Sequence, residues 1–463
     1  MEKFFKLREN GTTVRTEMLA GVTTFFTMAY IIFVNPIILG SEYGAGMNMN
    51  AVFVATCVVA ALGTLLSGLL SNYPFAQAPG MGLNAFFSYT ICGVMGYSWQ
   101  AALSAVFISG IIFIAITATG LRQVIVNSIP MTLKRAIAAG IGLFIALIGF
   151  ANAEIVTQGA GTVVMLGDLG SPTVLLAVFG LILVIALLCL KVKGALLISI
   201  IITAAAGALM QFGFNVDLGL HAPEMSGAFG SYADSFRDFG AVLGQCFAGF
   251  SELFSTGEGF GAMLVSVVTV LVVMFLTDMF NTVGTLVGCA EKGGFLDKDG
   301  NLPRAGRAMM ADAVTTSTGA MMGTSTVTTY IESTAGISEG GRTGLTSVFT
   351  SALFVLALIF APITGLIHAS ATAPILIIVG VMMMSSLKDI KWSEINEAIP
   401  CFIVMAMMAF TYSIAHGIGL GFIFYVLVKV FTGKLKDVHP VLLTFALLFL
   451  LKYVLMATGV IPG

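Results

Sequence analysis

Three acidic residues stand where charge is expensive. Asp278 lies inside Val270-Leu271-Val272-Val273-Met274-Phe275-Leu276-Thr277-Asp278-Met279-Phe280-Asn281. Glu332 closes the β-branched string Thr324-Ser325-Thr326-Val327-Thr328-Thr329-Tyr330-Ile331, and Asp312 sits in Met310-Ala311-Asp312-Ala313. A carboxylate inside a long apolar segment usually marks a substrate or proton path. Each also has a structural reading: Asp278 as a hydrogen-bonded packing group, Glu332 as a helix cap or first-turn acid, Asp312 as the partner of a nearby Thr or Arg. Asn281 follows Asp278 by one helical turn, which predicts that the two share a face. Asn84, in Gln77-Ala78-Pro79-Gly80-Met81-Gly82-Leu83-Asn84, offers an amide donor and acceptor. Thr27 and Tyr30 lie on the first apolar run, where packing or helix-to-helix hydrogen bonds are the simpler reading. Phe25, Phe26, Phe86 and Phe87 could stack a flat ring or simply fill space. The candidate binding set is therefore Asp278, Glu332, Asn281, Asn84, Thr27, Tyr30, Phe86 and Thr329. The candidate proton-carrying set is Asp278, Glu332 and Asp312.

Other chemistry finds no support. His221, His368, His416 and His439 fall at loops or run ends without metal-ligand spacing, and the six Cys are scattered with no CxxC pair. No phosphate-binding Gly-rich loop, nucleophile elbow or HExxH string occurs, so ATP-driven transport and hydrolysis are unsupported, and neither metal nor cofactor is implied.

The elements that must hold these residues follow from composition. The 463 residues include only 21 Lys+Arg and 23 Asp+Glu, 10% charged against 58% hydrophobic. Soluble proteins carry about 25% charged residues, and this chain has too few to cover a water-facing surface. The same numbers exclude a disordered chain. A net charge of −2 gives no footprint for nucleic acid. The reading is an all-α polytopic membrane protein. Apolar runs that could span a bilayer lie near 18–39, 51–71, 75–95, 100–120, 133–151, 172–190, 194–212, 261–289, 305–323, 330–340, 345–366, 372–387, 398–415, 418–431 and 438–458. That makes 14 or 15 segments, with no separate signal peptide and a polar stretch over 215–258. Lys and Arg fall at the N-terminus and after every even-numbered run, which puts the N-terminus in the cytoplasm. The run over 438–458 is an extra helix outside this alternation.

Two runs are interrupted. Pro79 with Gly80 and Gly82 breaks the third, and the β-branched string before Glu332 breaks the tenth. Asn84 and Glu332 are 248 positions apart, as are Tyr30 and Asp278. Both broken runs are the third of their half, and an odd number of spans per half inverts the second copy. Broken helices at matching places are typical of inverted-repeat transporters. Extended backbone at mid-membrane must pair or line a cavity. The two pieces are expected to pair, with the following helix halves aiming their N-terminal ends at one spot.

In these strings the chain resembles the nucleobase–cation symporters, in the AzgA-like branch of guanine/hypoxanthine and adenine permeases. The likeness rests on Gly21-Val22-Thr23-Thr24-Phe25-Phe26-Thr27-Met28-Ala29-Tyr30, on Ala78-Pro79-Gly80-Met81-Gly82-Leu83-Asn84-Ala85-Phe86-Phe87 and on Asp278-Met279-Phe280-Asn281-Thr282-Val283-Gly284-Thr285-Leu286. It rests further on Thr329-Tyr330-Ile331-Glu332-Ser333-Thr334-Ala335-Gly336 and Gly340-Gly341-Arg342-Thr343-Gly344-Leu345-Thr346. The resemblance implies a 14-helix, 7+7 inverted-repeat fold. Its core domain would take residues 1–122 and 259–367. Its gate domain would take 123–258, with the external polar segment, and 368–463. It also implies proton-coupled import of purine nucleobases across the cell (inner) membrane, guanine/hypoxanthine first and adenine or a xanthine/uracil substrate as the alternatives, with Asp278 and Glu332 touching the base. A passive channel is the remaining rival. A homodimer follows only by analogy with relatives of the fold. Many members carry a second Asp where this chain has Asn281, which leaves one charge fewer near the site.

Overall fold

The computed structural model describes residues 2–41, 44–119, 121, 125, 128–159, 161–218, 228–254, 260–298 and 302–458. Arg122, His221, Glu224 and Glu258, and the domain boundaries expected at 122/123 and 258/259, lie outside these residues. Ten helices among the described residues are long and apolar enough to cross a membrane.

The first apolar run forms α1 (Val14–Met28) and α2 (Ile31–Leu39), interrupted at Ala29 and Tyr30. Then come α3 (Met49–Ser71), the three-residue strand β1 (Gln77–Pro79), and α4 (Met81–Ala85), which continues as a π-helix over Phe86–Val94. The first half continues with α5 (Trp99–Thr119), α6 (Met131–Asn152), α7 (Pro172–Cys189) and α8 (Ala195–Ala208). The polar stretch contributes α9 (Ala228–Val242), which packs on α3. The second half opens with the long α10 (Phe260–Gly293) and α11 (Ala305–Met321). Strand β2 (Val327–Thr329), the one-and-a-half-turn α12 (Ser333–Ser338) and α13 (Gly344–Leu356) follow. Next are α14 (Ala369–Met383), α15 (Ile395–Phe410), α16 (Ile414–Phe431) and α17 (Pro440–Ala457).

Packing sorts these elements into two groups. In the first, α13 lies on α1 and α3, and α11 is sandwiched between α3 and α5. In the second, α6 packs on α14 and α15, α7 on α8 and α14, and α17 on α16. The groups meet where α4 and α10 touch α6, α1 touches α8, and α10 touches α16 and α17. Helix α11 is rich in small and hydroxylic residues and survives as a helix because its neighbours cover it. At Gly63 of α3 and Gly110 of α5 an added Cβ would lie 2.6 Å from Thr315 and closer still to the Ser317 hydroxyl. Such close backbone approach is how helices pack where hydrophobicity cannot discriminate protein from lipid.

The two strands pair antiparallel, with Gln77 opposite Thr329, Ala78 opposite Thr328 and Pro79 opposite Val327. The backbone N–H of Gly80 donates to Thr326 O and that of Tyr330 to Ala76 O, each at 2.9 Å. Each strand is also clamped by a threonine of the preceding helix. Thr64 Oγ1 donates to Gln77 O at 3.0 Å and accepts from Gln77 N at 2.9 Å. Thr316 Oγ1 donates to Val327 O at 3.0 Å and accepts from Val327 N at 3.2 Å. One hydroxyl thus satisfies both polar groups of the first strand residue in each half, where buried backbone leaves no alternative partner.

Candidate functional site

The strand pair and the helix starts beside it open onto a cavity whose empty space, open mouth included, is about 570 Å³. Its two walls differ. The first packing group supplies Tyr30 from the α1–α2 break and Gly80–Leu83 from the start of α4. It also supplies Thr277, Asn281 and Thr285 from α10, and Thr328–Glu332 from β2 and the turn after it. The second group supplies only Ile141 of α6 and Val379 and Met383 of α14. All the polar side chains come from the first wall, which also carries Met81, Leu83 and Ile331, and the second wall is wholly apolar.

Glu332 is half-buried at the polar wall, and the Tyr30 hydroxyl donates to its Oε1 at 2.6 Å. Tyr330, on the same turn, donates its hydroxyl to Pro79 O at 2.5 Å and so ties the turn to β1. Asn281 Nδ2 donates to Thr328 Oγ1 at 3.2 Å. Gln77 Nε2 reaches Thr329 Oγ1 at 3.5 Å. Tyr30, Asn281, Thr329 and Glu332 of the candidate binding set are therefore brought together.

The other candidates stand elsewhere. Asp278 is buried but is not a lining residue. The lining residues of α10 are Thr277, Asn281 and Thr285, spaced by four; Asp278 stands about 60° from Asn281 and about 20° from Thr285 around the helix, on the same side, yet does not reach the cavity. Thr282, four residues beyond Asp278, donates its hydroxyl to Asp312 Oδ2 at 2.7 Å. Asn84 is fully buried behind the cavity wall. Its Nδ2 donates to Asn35 Oδ1 at 2.6 Å, and its Oδ1 accepts from the Ser325 hydroxyl. Asn35 in turn donates to Thr56 and Thr324, so this amide network joins α2, α3, α4 and the approach to β2. The Thr27 hydroxyl turns back on the carbonyls of Thr23 and Thr24, and Phe86 is enclosed in the core.

Several lining residues were not in the candidate set. Thr277 and Thr285 carry a signal, since polar residues at four-residue spacing in an apolar helix define a stripe. Ile141, Val379 and Met383 carry none, being ordinary apolar residues brought up by another helix pair.

With that geometry in view, residues 15–420 match the Permease family of xanthine/uracil permeases. This chain belongs to that family. The permease is 42% identical to guanine/hypoxanthine permease PbuG of Bacillus subtilis over 98% of this chain and 100% of that one. It is 39% identical to adenine permease AdeQ of Escherichia coli over 98% of this chain and 96% of that one. Among solved structures, the transmembrane domain of the cyanobacterial bicarbonate transporter BicA superposes with a TM-score of 0.61, covering 87% of this chain and 96% of that one at 15% identity, a likeness of fold. The permease is an integral, multi-pass membrane protein.

Proposed function

We propose that this permease imports purine nucleobases together with protons, guanine and hypoxanthine ahead of adenine. The observation that carries the reading is the two-walled cavity with the Tyr30-bound Glu332 carboxylate on its polar side. A purine is flat, with polar edges and apolar faces, and such a cavity offers a match to both. No Lys, Arg or His is among the lining residues, which suits a donor-rich neutral ligand better than an inorganic anion. The names of the relatives point the same way. Guanine presents N1–H and the 2-amino group as adjacent donors, both of which a carboxylate can accept. Hypoxanthine has only N1–H there. Adenine has an acceptor at N1 and is favoured by a protonated acid. The adenine reading remains the alternative, supported by the likeness to AdeQ, with xanthine or uracil as substrates of the same family.

The coupled proton is assigned to Asp278 and Asp312, joined through α10 and Thr282, with Glu332 taking the base. Neutralising a buried acid lets the loaded site cross the low-dielectric boundary at less expense. The movement proposed is an elevator: the first packing group as core carries the polar wall past the apolar wall of the second group, the gate. The paired threonine clamps around the two strands support a 7+7 inverted repeat of fourteen spans with the strand pair at mid-membrane. The basic ends at Lys292 and Lys388, beyond Thr285 and Met383, support a cytoplasmic mouth and a cytoplasmic N-terminus. A homodimer is proposed by analogy alone. Uptake of labelled guanine, hypoxanthine and adenine into purine-transport-deficient cells, with and without a protonophore, tests the reading. Accumulation that collapses with the protonophore supports it, while pH-independent equilibration without accumulation would indicate a passive channel.

A further inference from the structure

Glu332 leans on a single side chain. Tyr30 stands at the break between α1 and α2, is 1% exposed, and directs its only proton to Oε1. Tyr30 from the first segment, Tyr330 from its own turn and Cys289 from α10 face Glu332. None of these three is a cation. The acid is partly buried and lines the cavity. The phenol engages Oε1 and not Oε2, so the two carboxyl oxygens are not equivalent.

We propose that Tyr30 is a positioning residue that reserves one oxygen of Glu332 for the ligand, so that the protonation of that oxygen selects between purines with a donor at N1 and purines with an acceptor there. The inference rests on the purine-transport reading and adds to it a source of selectivity. With the acid ionised, Oε2 accepts from N1–H of guanine or hypoxanthine. When a solvent proton binds, it goes to Oε2, because Oε1 stays engaged by Tyr30. Oε2 then donates to N1 of adenine. The same atom changes from acceptor to donor without moving. Without the phenol, either oxygen can face the cavity and either can carry the proton, and the two states blur.

The experiment is equilibrium binding of labelled guanine and adenine to the purified full chain in lipid nanodiscs, from mildly acidic to mildly alkaline pH. For the unaltered protein the guanine-over-adenine affinity ratio should rise with pH by about tenfold, the scale of one hydrogen bond gained or lost. Tyr30→Phe should flatten that rise to within about threefold. Glu332→Gln, with Tyr30 in place, holds an acceptor for the phenol and a permanent donor for the ligand, and should give a pH-independent ratio favouring adenine. A merely structural Tyr30 predicts equal weakening of both purines with the slope retained. Tyr30→Phe with the original slope, or Glu332→Gln with the original slope, overturns the proposal. Should Tyr30→Phe not fold, the Gln variant decides. A pH-flat ratio in the unaltered protein overturns this inference and leaves purine transport standing, whereas binding of neither purine overturns both.

Discussion

Glu17 and Glu332 are both acids in a membrane protein, and their surroundings give them different tasks. Glu17 is fully buried and accepts from the backbone N–H groups of Arg342, Thr343 and Thr346 and from the Thr346 hydroxyl at 2.6–3.3 Å. It is a cap supplied by α1 to the N-terminus of α13, where exposed N–H groups and the helix dipole favour an anion. Arg342 turns away and spends its guanidinium on the carbonyls of Ile337 and Gly341. Replacing Glu17 by Ala leaves buried donors unsatisfied and should lower stability by about 3 kcal/mol, read as a drop in the melting temperature of the purified protein. Glu332 instead takes one phenol partner and lines the cavity, which is why it is the acid proposed to meet the base. Asp278 is buried and is not among the lining residues, and it stands one turn from Thr282, which bonds Asp312. Asp278→Asn is expected to abolish proton-driven accumulation while leaving guanine binding within about threefold. Continued accumulation at the original level by that variant would remove Asp278 from the coupling scheme.

Among elements, the strand pair has the least local support, because three-residue strands have no stability of their own. They persist because each is fastened at both ends, by the cross-strand bonds of Gly80 and Tyr330 and by the threonine clamps. The halves are alike in this and unlike in the length of helix beyond each strand. The segment after β1 continues for fourteen helical residues, Met81–Val94, partly as a π-helix, whereas α12 stops after six. The dipole at the second half-helix is correspondingly small, so recognition there falls to side chains. Thr64→Val and Thr316→Val each delete a hydroxyl that serves two buried backbone groups. Each should cost about 2 kcal/mol and weaken purine binding, measured by calorimetry, because both strands shape the cavity wall. A variant of either that keeps full affinity would show that the clamp stabilises without shaping.

At the scale of the molecule, the two walls belong to different packing groups, and the proposed elevator movement requires them to slip. They approach tightly at Gly82 and Ile141, where a Cβ on Gly82 would lie 2.6 Å from Ile141 Cγ2. Gly82→Ala should slow turnover at least about tenfold with KM changed little, a split expected when movement rather than binding is impaired. Ile141→Ala in the same protein should restore the rate, and an unrestored rate would shift the defect to the fold of α4. Away from the cavity the groups are held by Thr90 Oγ1 donating to Tyr412 O at 3.2 Å and Asn152 Nδ2 donating to Tyr89 Oη at 3.4 Å, with Tyr412 packed edge-on against Tyr89 and Phe144. A disulfide between Thr90→Cys and Tyr412→Cys should stop uptake reversibly while purine still binds. Transport that continues through the cross-link would rule out separation of the groups at this place.

The membrane class, the positions of the apolar runs and the interruptions at Pro79 and before Glu332 follow from local composition, because hydrophobicity, proline and β-branching act over a few residues. The acids announced themselves for the same reason, as isolated charges in apolar surroundings. Which of them faces the cavity was beyond such reasoning. Asp278 and Thr285 stand within about 20° around one helix, yet only Thr285 is a lining residue, and the neighbours of α10 decide which side chain meets the cavity. Asn84 carried the same chemical signal as Asn281, yet Asn35 and Ser325, distant in sequence, absorb its amide. The apolar wall, the Glu17 cap and the Tyr30–Glu332 bond each join segments up to some three hundred residues apart, and contacts of that separation come into being only when the helices pack.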